Sequence, residues 1–448
     1  MTRTTRTLAA AAGSALVLSL LSTVTTATAA PTTTPATASA TATGYDDFYT
    51  PPTDLPATDG TVVRSEPMKL GISFPLLGRQ TRLPGTATRI LYTTTDEGGD
   101  QAAVSGVYIE PSKRWRGKGD RPLVSFSVGT QGVADACAPS KTLESFLNVE
   151  DGKFMVGYEV PSIYGFLNDG VAVVVTDYIG LGTTDRVHTY MNRVDQGHAV
   201  LDAARAALSL PGTSVTERSK IGLYGYSQGG GAAGAAAELA PTYAPELNLA
   251  GAYVGGPPAN LFEVMKTIDG TLLTGAIPWT INAMHAYRPE LTPYLDQLVT
   301  QKGIEAIHTS KEQCIVDTLL AFGTKKTSEW TRSGNPASVD VAAEPVLMQA
   351  VADQRIGRLK PTIPVQVLTG TKDDIVPHAQ AKQLALDWCA QGANVTYKPV
   401  IQLVGSGGLM LSHLGPLLSH QGAARDWIVD RFNDVRTSGN CSSAARLP

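Results

Sequence analysis

A chain of 448 residues with 43% hydrophobic content is long enough for one large domain carrying an insertion, or for two or three average domains. Its formal charge of −4 offers no basic stripe for nucleic acid. There is no Walker loop, no H-E-x-x-H and no paired C-x-x-C, so neither a nucleotide, a metal nor any other cofactor is expected.

The first segment in chain order reads as an export signal. Arg3 and Arg6 give a short basic start, residues 8–21 are small and apolar, and Ala27-Thr28-Ala29 is a small-residue cleavage site. Residues 1–29 are therefore expected to be a signal peptide and the mature protein to be secreted and extracellular. The apolar run is too short to span a membrane and is broken by Gly13, Ser14 and Ser19. No later segment is apolar for long enough, so no integral membrane span is expected either. Residues 30–44 contain Thr, Ala, Pro, Ser and Gly with no large apolar side chain, the composition of a disordered linker.

Apolar runs then follow at 90–92, 104–109, 122–128, 171–176, 221–224, 249–254, 365–368 and 395–404. The first two can pair as a hairpin. The later runs are short and β-branched, and helical patterns such as 199–208 separate them. That alternation predicts an α/β protein with a mostly parallel central sheet flanked by helices. Residues 45–255 and 355–435 are assigned to this core. Between 256 and 354 the strand pattern stops, and apolar clusters at Leu272-Leu273, Ile277-Pro278-Trp279 and 316–322 suggest a helical cap or lid insertion over the strand ends. Residues 436–448 are read as a C-terminal tail. The four cysteines, Cys137, Cys314, Cys389 and Cys441, are even in number and have no metal-ligand spacing. In an exported protein they favour disulfides. Three pairings are possible, and the sequence neighbours, Cys137 with Cys314 and Cys389 with Cys441, are preferred.

Chemistry in such sheets collects at the C-terminal ends of strands. One of those ends carries Gly225-Tyr226-Ser227-Gln228-Gly229, a G-x-S-x-G pentapeptide after the run 221–224. Its glycines permit the tight strand-to-helix turn that exposes a nucleophilic serine, and the small residues 230–237 allow the following helix to approach the sheet. Alone the pentapeptide is weak; its placement makes Ser227 the candidate nucleophile. The fold sets the order serine, acid, histidine. Asp373 and Asp374 follow the run 365–368, and His378, His413 and His420 come after it. His378 sits too close to the acids and should begin the next helix. His420 falls on a helix leading to Trp427. His413, beyond the glycine-rich loop 405–408, is the candidate base. The N–H of Gln228 is the expected first oxyanion donor. The second is expected from Gly129-Thr130-Gln131-Gly132, with Gln131 favoured.

Several blocks together resemble the secretory lipase family of α/β-hydrolases, the group with the fungal lipase A type and many actinobacterial lipases. They are Asp47-Phe48-Tyr49-Thr50-Pro51-Pro52, Val175-Thr176-Asp177-Tyr178-Ile179-Gly180-Leu181-Gly182, the pentapeptide at Ser227, the 373–377 block and Ser412-His413-Leu414-Gly415. The family pattern G-x-x-D-x-x-V-P implies Asp373 as the acid, with Asp374 the fallback. The run Gly408-Leu409-Met410-Leu411 before His413 is more apolar than the pattern. The resemblance implies a lid that holds part of an acyl channel. It also implies a secreted lipase or carboxylesterase acting on lipid or other ester substrates, expected to be a monomer. A peptidase or acyltransferase on the same three residues is the enzyme alternative, since the acceptor and not the triad separates them. A non-catalytic secreted binding protein is the third reading, disfavoured because all three residues stand in order.

Overall fold

Nine strands form one sheet in the computed structural model of the chain, which describes residues 46–70, 72–74, 79–81, 84–143, 147–150 and 153–448. The expected signal peptide and linker lie outside the described residues. In chain order the strands are β1 (Val62–Met68), β2 (Gly85–Thr95), β3 (Gln101–Pro111), β4 (Leu123–Ser127), β5 (Ala172–Thr176), β6 (Ile221–Tyr226), β7 (Leu249–Gly255), β8 (Val365–Gly370) and β9 (Val395–Val400). Their spatial order is β1-β2-β3-β5-β4-β6-β7-β8-β9. β2 and β3 pair antiparallel from Gly85 opposite Pro111 to Thr95 opposite Gln101, the hairpin of the two early apolar runs. β3 is antiparallel to β5, and from β5 to β9 every neighbouring pair is parallel. β1 has no counterpart among the apolar runs. In its sequence VVRSEPM the polar Arg64, Ser65 and Glu66 interrupt the apolar residues and most of the strand is only partly buried, and Pro67 is tolerated because β1 is an edge strand.

Helices cover both faces of the sheet. The core set is α1 (Val160–Asn168), α2 (Arg193–Ser209) and α3 (Gln228–Tyr243). Between β7 and β8 lie α4 (Leu261–Ile268), α5 (Ala276–Tyr287), α6 (Thr292–Leu298), α7 (Gln301–Ser310), α8 (Ile315–Phe322), α9 (Ala337–Ala343) and α10 (Pro345–Asp353). α11 (His378–Ala390) and α12 (Leu411–Phe432) complete the core. Side chains alternate across a strand. A Cβ on Gly251 of β7 would meet Arg431 of α12 at 2.8 Å, while Val254 lies against Gly234 of α3. On the α12 side, Phe126, Tyr224 and Tyr253 of three adjacent strands stack with ring centroids 5.1 and 4.7 Å apart, and Phe166 of α1 meets Tyr224 edge-on. On the other side, Ser125 donates to the Val200 carbonyl of α2.

The helices of the insertion bury apolar clusters of their own. One is built around the fully buried Trp279 and takes in Tyr190, Ile375 and Val376 of the core, a second around Leu347 and Met284, and a third around Ala306, Phe322 and Trp330. Two disulfides tie distant segments: Cys137–Cys314 joins the segment after β4 to the insertion, and Cys389–Cys441 joins α11 to the C-terminal residues. That last segment is also stitched to β9, since Asn440 donates to the Val395 carbonyl and accepts from the Tyr397 N–H. No helix among the described residues is long and apolar enough to cross a membrane.

Candidate active site

The turn between β6 and α3 carries Ser227 at φ 59° and ψ −126°, a region that costs a non-glycine residue about 1–3 kcal/mol. The surrounding contacts force it. A Cβ on Gly225 would sit 2.1 Å from the Gly229 carbonyl oxygen, one on Gly229 2.0 Å from that of Ser127, and one on Gly230 2.1 Å from that of Gly255. Glycine at these positions lets α3 begin hard against β4 and β7, and the Ser227 N–H is held by the Gly255 carbonyl. The serine Oγ is thereby presented beyond the end of the sheet.

His413 Nε2 lies 2.9 Å from Ser227 Oγ, and His413 Nδ1 lies 2.8 Å from Asp373 Oδ2. Asp373 is oriented by its other oxygen, Oδ1, which accepts the N–H groups of Ile375 (3.0 Å) and Val376 (2.9 Å). The D-x-x-V spacing is therefore a local turn that fixes the carboxylate. With Nδ1–H donating to Asp373, Nε2 is left to accept the serine proton. Both partners of this pair are withdrawn from solvent. Tyr226 donates to the His413 carbonyl at 2.6 Å and its ring packs 5.4 Å from the imidazole.

His413, beyond the loop 405–408, stands in the first turn of α12. The reason is Asp374. Its carboxylate accepts from Ser406 Oγ (2.5 Å) and from the N–H groups of Gly408 (2.9 Å), Met410 (3.1 Å) and His413 (3.2 Å). A carboxylate over free N–H groups is a favourable helix start. Burial pushes the Asp374 carboxyl up, but the Ser406 and Ser412 hydroxyls and the Gly408 N–H outweigh it and hold it below the usual range. Met410 adopts φ 65° to enter the helix and buries its side chain, while Leu409 and Leu411 on either side stay exposed. Of the other two histidines, His378 begins α11 and meets Tyr397, and His420 lies on α12 beside Ser419.

The segment after β4 is pinned from several sides. Tyr178 donates to the Val128 carbonyl and Tyr158 to that of Thr130. The Gly129 N–H donates to Glu159, and the Ile315 N–H of α8 donates to the Gln131 carbonyl. The Gln131 amide folds back onto the Gly129 carbonyl and the side chain is buried. Thr130, not Gln131, lines the cavity in front of Ser227, together with Gln228. Burial pushes the Glu159 carboxyl up to about 8 against the single N–H it accepts from Gly129. His188, stacked on Tyr178 and edge-on to Tyr190, is held by burial down to about 4 and is neutral. Its Nδ1–H donates to the Ile179 carbonyl, and its Nε2 is 3.4 Å from Gln228 Nε2. Nothing in the sequence around 183–192 singles out His188. Glu159 likewise stands in no motif, and only its burial reveals it.

An open cavity of about 110 Å³ runs from Ser227 into the insertion. Tyr190, Ile375 and Val376 flank its catalytic end, and Ile277, Met284 and Val341 line it among the inserted helices. Asp340 is the one charged side chain on its wall among the described residues. No group of three or more His, Cys, Asp or Glu side chains among the described residues is arranged to hold a metal ion.

The profile of the family described as Secretory lipase matches residues 147–440. A probable inactive lipase of Mycobacterium tuberculosis is 29% identical over 353 residues, covering 79% of this chain and 76% of its own. A secreted triacylglycerol lipase of Malassezia globosa is 27% identical over 403 residues, covering 89% and 80%. Among solved structures, lipase A of Candida antarctica in its closed state superposes with a TM-score of 0.72 at 20% identity, over 87% of this chain and 86% of that one. This last likeness carries the α/β-hydrolase fold.

Proposed function

Because the chain belongs to the secretory lipase family and is a carboxylic ester hydrolase, we propose that it is a secreted enzyme that cleaves lipid-type esters through Ser227, His413 and Asp373. The observation that carries this reading is the unbroken hydrogen-bond chain from Ser227 through His413 to Asp373 at the mouth of an apolar cavity. Ser227 Oγ attacks the ester carbonyl as His413 Nε2 takes its proton. Asp373 keeps the imidazole in the required tautomer and stabilises the imidazolium. The carbonyl oxygen acquires charge in the tetrahedral state. It is met by the Gln228 N–H and by an N–H of the Thr130–Gln131 stretch, each donor contributing about 3 kcal/mol of transition-state stabilisation. His413 then protonates the leaving alcohol, an acyl-enzyme remains on Ser227, and water admitted by the same base releases the acid.

The acyl group fits the cavity. Its walls are mostly apolar, with Thr280, Thr331 and Asp340 the polar residues besides Thr130, Tyr190, Ser227 and Gln228, so each methylene buried against the apolar part favours binding by about 0.8 kcal/mol. The inserted helices act in this reading as the lid that holds the acyl chain. The test is a kcat/KM profile over p-nitrophenyl esters of increasing acyl length, together with labelling by a fluorophosphonate. Rising values from acetate toward longer chains and labelling lost in Ser227→Ala are expected. A profile that peaks at acetate would make the protein a small-ester esterase. A non-catalytic protein, the reading that the name of one relative, a probable inactive lipase, gives for that relative, would show no labelling at any serine.

A further inference from the structure

Thirteen large apolar side chains are exposed among the described residues, and five of them fall between 401 and 411. Leu403 is 92% exposed, Val404 79% and Ile401 63%; Leu409 and Leu411 are about half exposed. No Asp, Glu, Lys or Arg occurs between Lys398 and Arg425, so nothing charged interrupts this surface along the chain. Scattered exposed apolar residues are ordinary, but a contiguous patch marks a contact surface.

The patch joins two other segments. The Gly408 carbonyl accepts the Leu272 N–H at 2.9 Å, and the Thr271 carbonyl accepts the Thr324 N–H at 2.8 Å. This brings the end of α8 alongside, with Leu320 76% exposed and Lys325 and Lys326 exposed after it. Lys326 runs beside Gly270, and Gly405 lies against Lys372, which is also exposed. None of these three lysines forms a close ion pair among the described residues, and only Lys325 acts at longer range on a carboxylate, that of Glu329. An apolar tip is thus rimmed by exposed cations, of which Lys325 holds its ammonium 5.4 Å from the centre of the Phe322 ring. The surface also adjoins the catalytic mouth, because Leu273, Ile375 and Val376 line the cavity and residue 413 follows the loop directly.

We propose that loop 401–411, with Leu320 and the rim of Lys325, Lys326 and Lys372, is a docking surface that holds the cavity mouth against an anionic lipid–water interface. It rests on the ester-hydrolase reading only for the direction in which the catalytic mouth faces. Insertion of Leu403 and Val404 among acyl chains removes their apolar area from water, and the lysines meet anionic headgroups at the rim. The exposed side chains of the loop line none of the described cavities, which argues against a peptide or a small ligand as the occupant.

The experiment is flotation of the whole protein with phosphatidylcholine vesicles, with and without phosphatidylglycerol. Hydrolysis of soluble p-nitrophenyl butyrate is read in parallel. Wild type should partition onto mixed vesicles more strongly than onto neutral ones. Leu403→Ser combined with Val404→Ser should lower partitioning at least about tenfold on both. Lys325→Glu with Lys326→Glu and Lys372→Glu should abolish the preference for the anionic lipid. Both variants should hydrolyse the soluble ester within about twofold of wild type, with unchanged melting midpoints. Wild type that stays in solution, or variants that bind as it does, would overturn the proposal. So would a wild-type dimer at sedimentation equilibrium that the Leu403 and Val404 variant dissociates, because the patch would then be a self-interface. Vesicle binding that follows the predicted variant pattern without any ester hydrolysis would uphold the surface and refute the hydrolase reading alone.

Discussion

Asp373 and Asp374 are adjacent acids in one loop, and the structure gives them separable jobs that substitution by asparagine can tell apart. In Asp373→Asn the amide can still sit beside His413 Nδ1 and accept from Ile375 and Val376, so the loop should hold its shape. What is lost is the charge that stabilises the imidazolium and selects the tautomer. In a serine triad that loss is worth about 10⁴ in kcat, or about 5.5 kcal/mol of activation free energy. Asp374→Asn instead removes charge from a group that accepts four donors, from Ser406, Gly408, Met410 and His413. The new amide presents N–H groups to N–H groups, and the expected loss is about 2–3 kcal/mol of stability. Activity should fall far less, by about tenfold, as the start of α12 loosens around His413. The assay is kcat on a soluble ester beside the urea midpoint for each variant. If Asp374→Asn lost four decades in kcat at unchanged stability, the assignment of the acid to Asp373 would be wrong.

Filling the cavity where it passes the inserted helices, by Val341→Trp, should spare acetate and butyrate esters while lowering kcat/KM for long ones. Four excluded methylenes correspond to about 3 kcal/mol, or about a hundredfold, and a parallel drop for all chain lengths would refute the path of the channel. Removing the Cys137–Cys314 bridge by paired serine substitutions should cost about 2–5 kcal/mol, since it closes a loop of 177 residues; an unchanged thermal midpoint would contradict this. Glu159→Gln tests the buried acid beside Gly129. Burial raises its folded value from 4.5 to about 8, so between those values the unfolded chain sheds a proton that the folded chain keeps, and stability falls as pH rises. The glutamine variant should therefore lose less stability than wild type between about pH 5 and about pH 8, and equal losses in urea titrations would refute the shift.

The parts of this site that the sequence made legible are those whose geometry is local. Gly225, Gly229 and Gly230 announce the turn because a Cβ there strikes backbone within a few residues or on the next strand. Asp373 is legible through Val376, whose N–H it accepts three residues on. The hidden parts depend on contacts from afar. Whether Thr130 or Gln131 faces the cavity is set by Tyr158, Glu159 and Ile315, none of which shares a motif with residues 129–132. The start of α12 was masked because Leu409, Met410 and Leu411 are alike in composition, yet one is buried and two are not. β1 makes no continuous apolar run for a related reason: an edge strand bonded on one side only can carry polar residues such as Arg64, Ser65 and Glu66 in its middle.

The contacts of residues 129–132 also bear on how lid and chemistry communicate. A lid that merely covered the strand ends could move without disturbing the catalytic groups. Here the first turn of α8 is bonded to that segment twice over. The Ile315 N–H donates to the Gln131 carbonyl, the Val133 N–H donates to the Gln313 carbonyl, and Cys137–Cys314 locks the two strands of this contact covalently. The sulfur atoms sit in a small buried cluster with Ala134, Ala138 and Leu181, so the link is packed as well as bonded. Any opening of the insertion about α8 would drag the Thr130 wall of the cavity with it. If the insertion acts as the proposed lid, the economical opening leaves α8 in place and moves α9 and α10, whose Asp340, Val341 and Leu347 line the cavity and which bear the exposed Val339 and Val346. Under the proposed function, access for the acyl chain and integrity of the segment proposed to supply an oxyanion donor would then be controlled by different parts of one insertion.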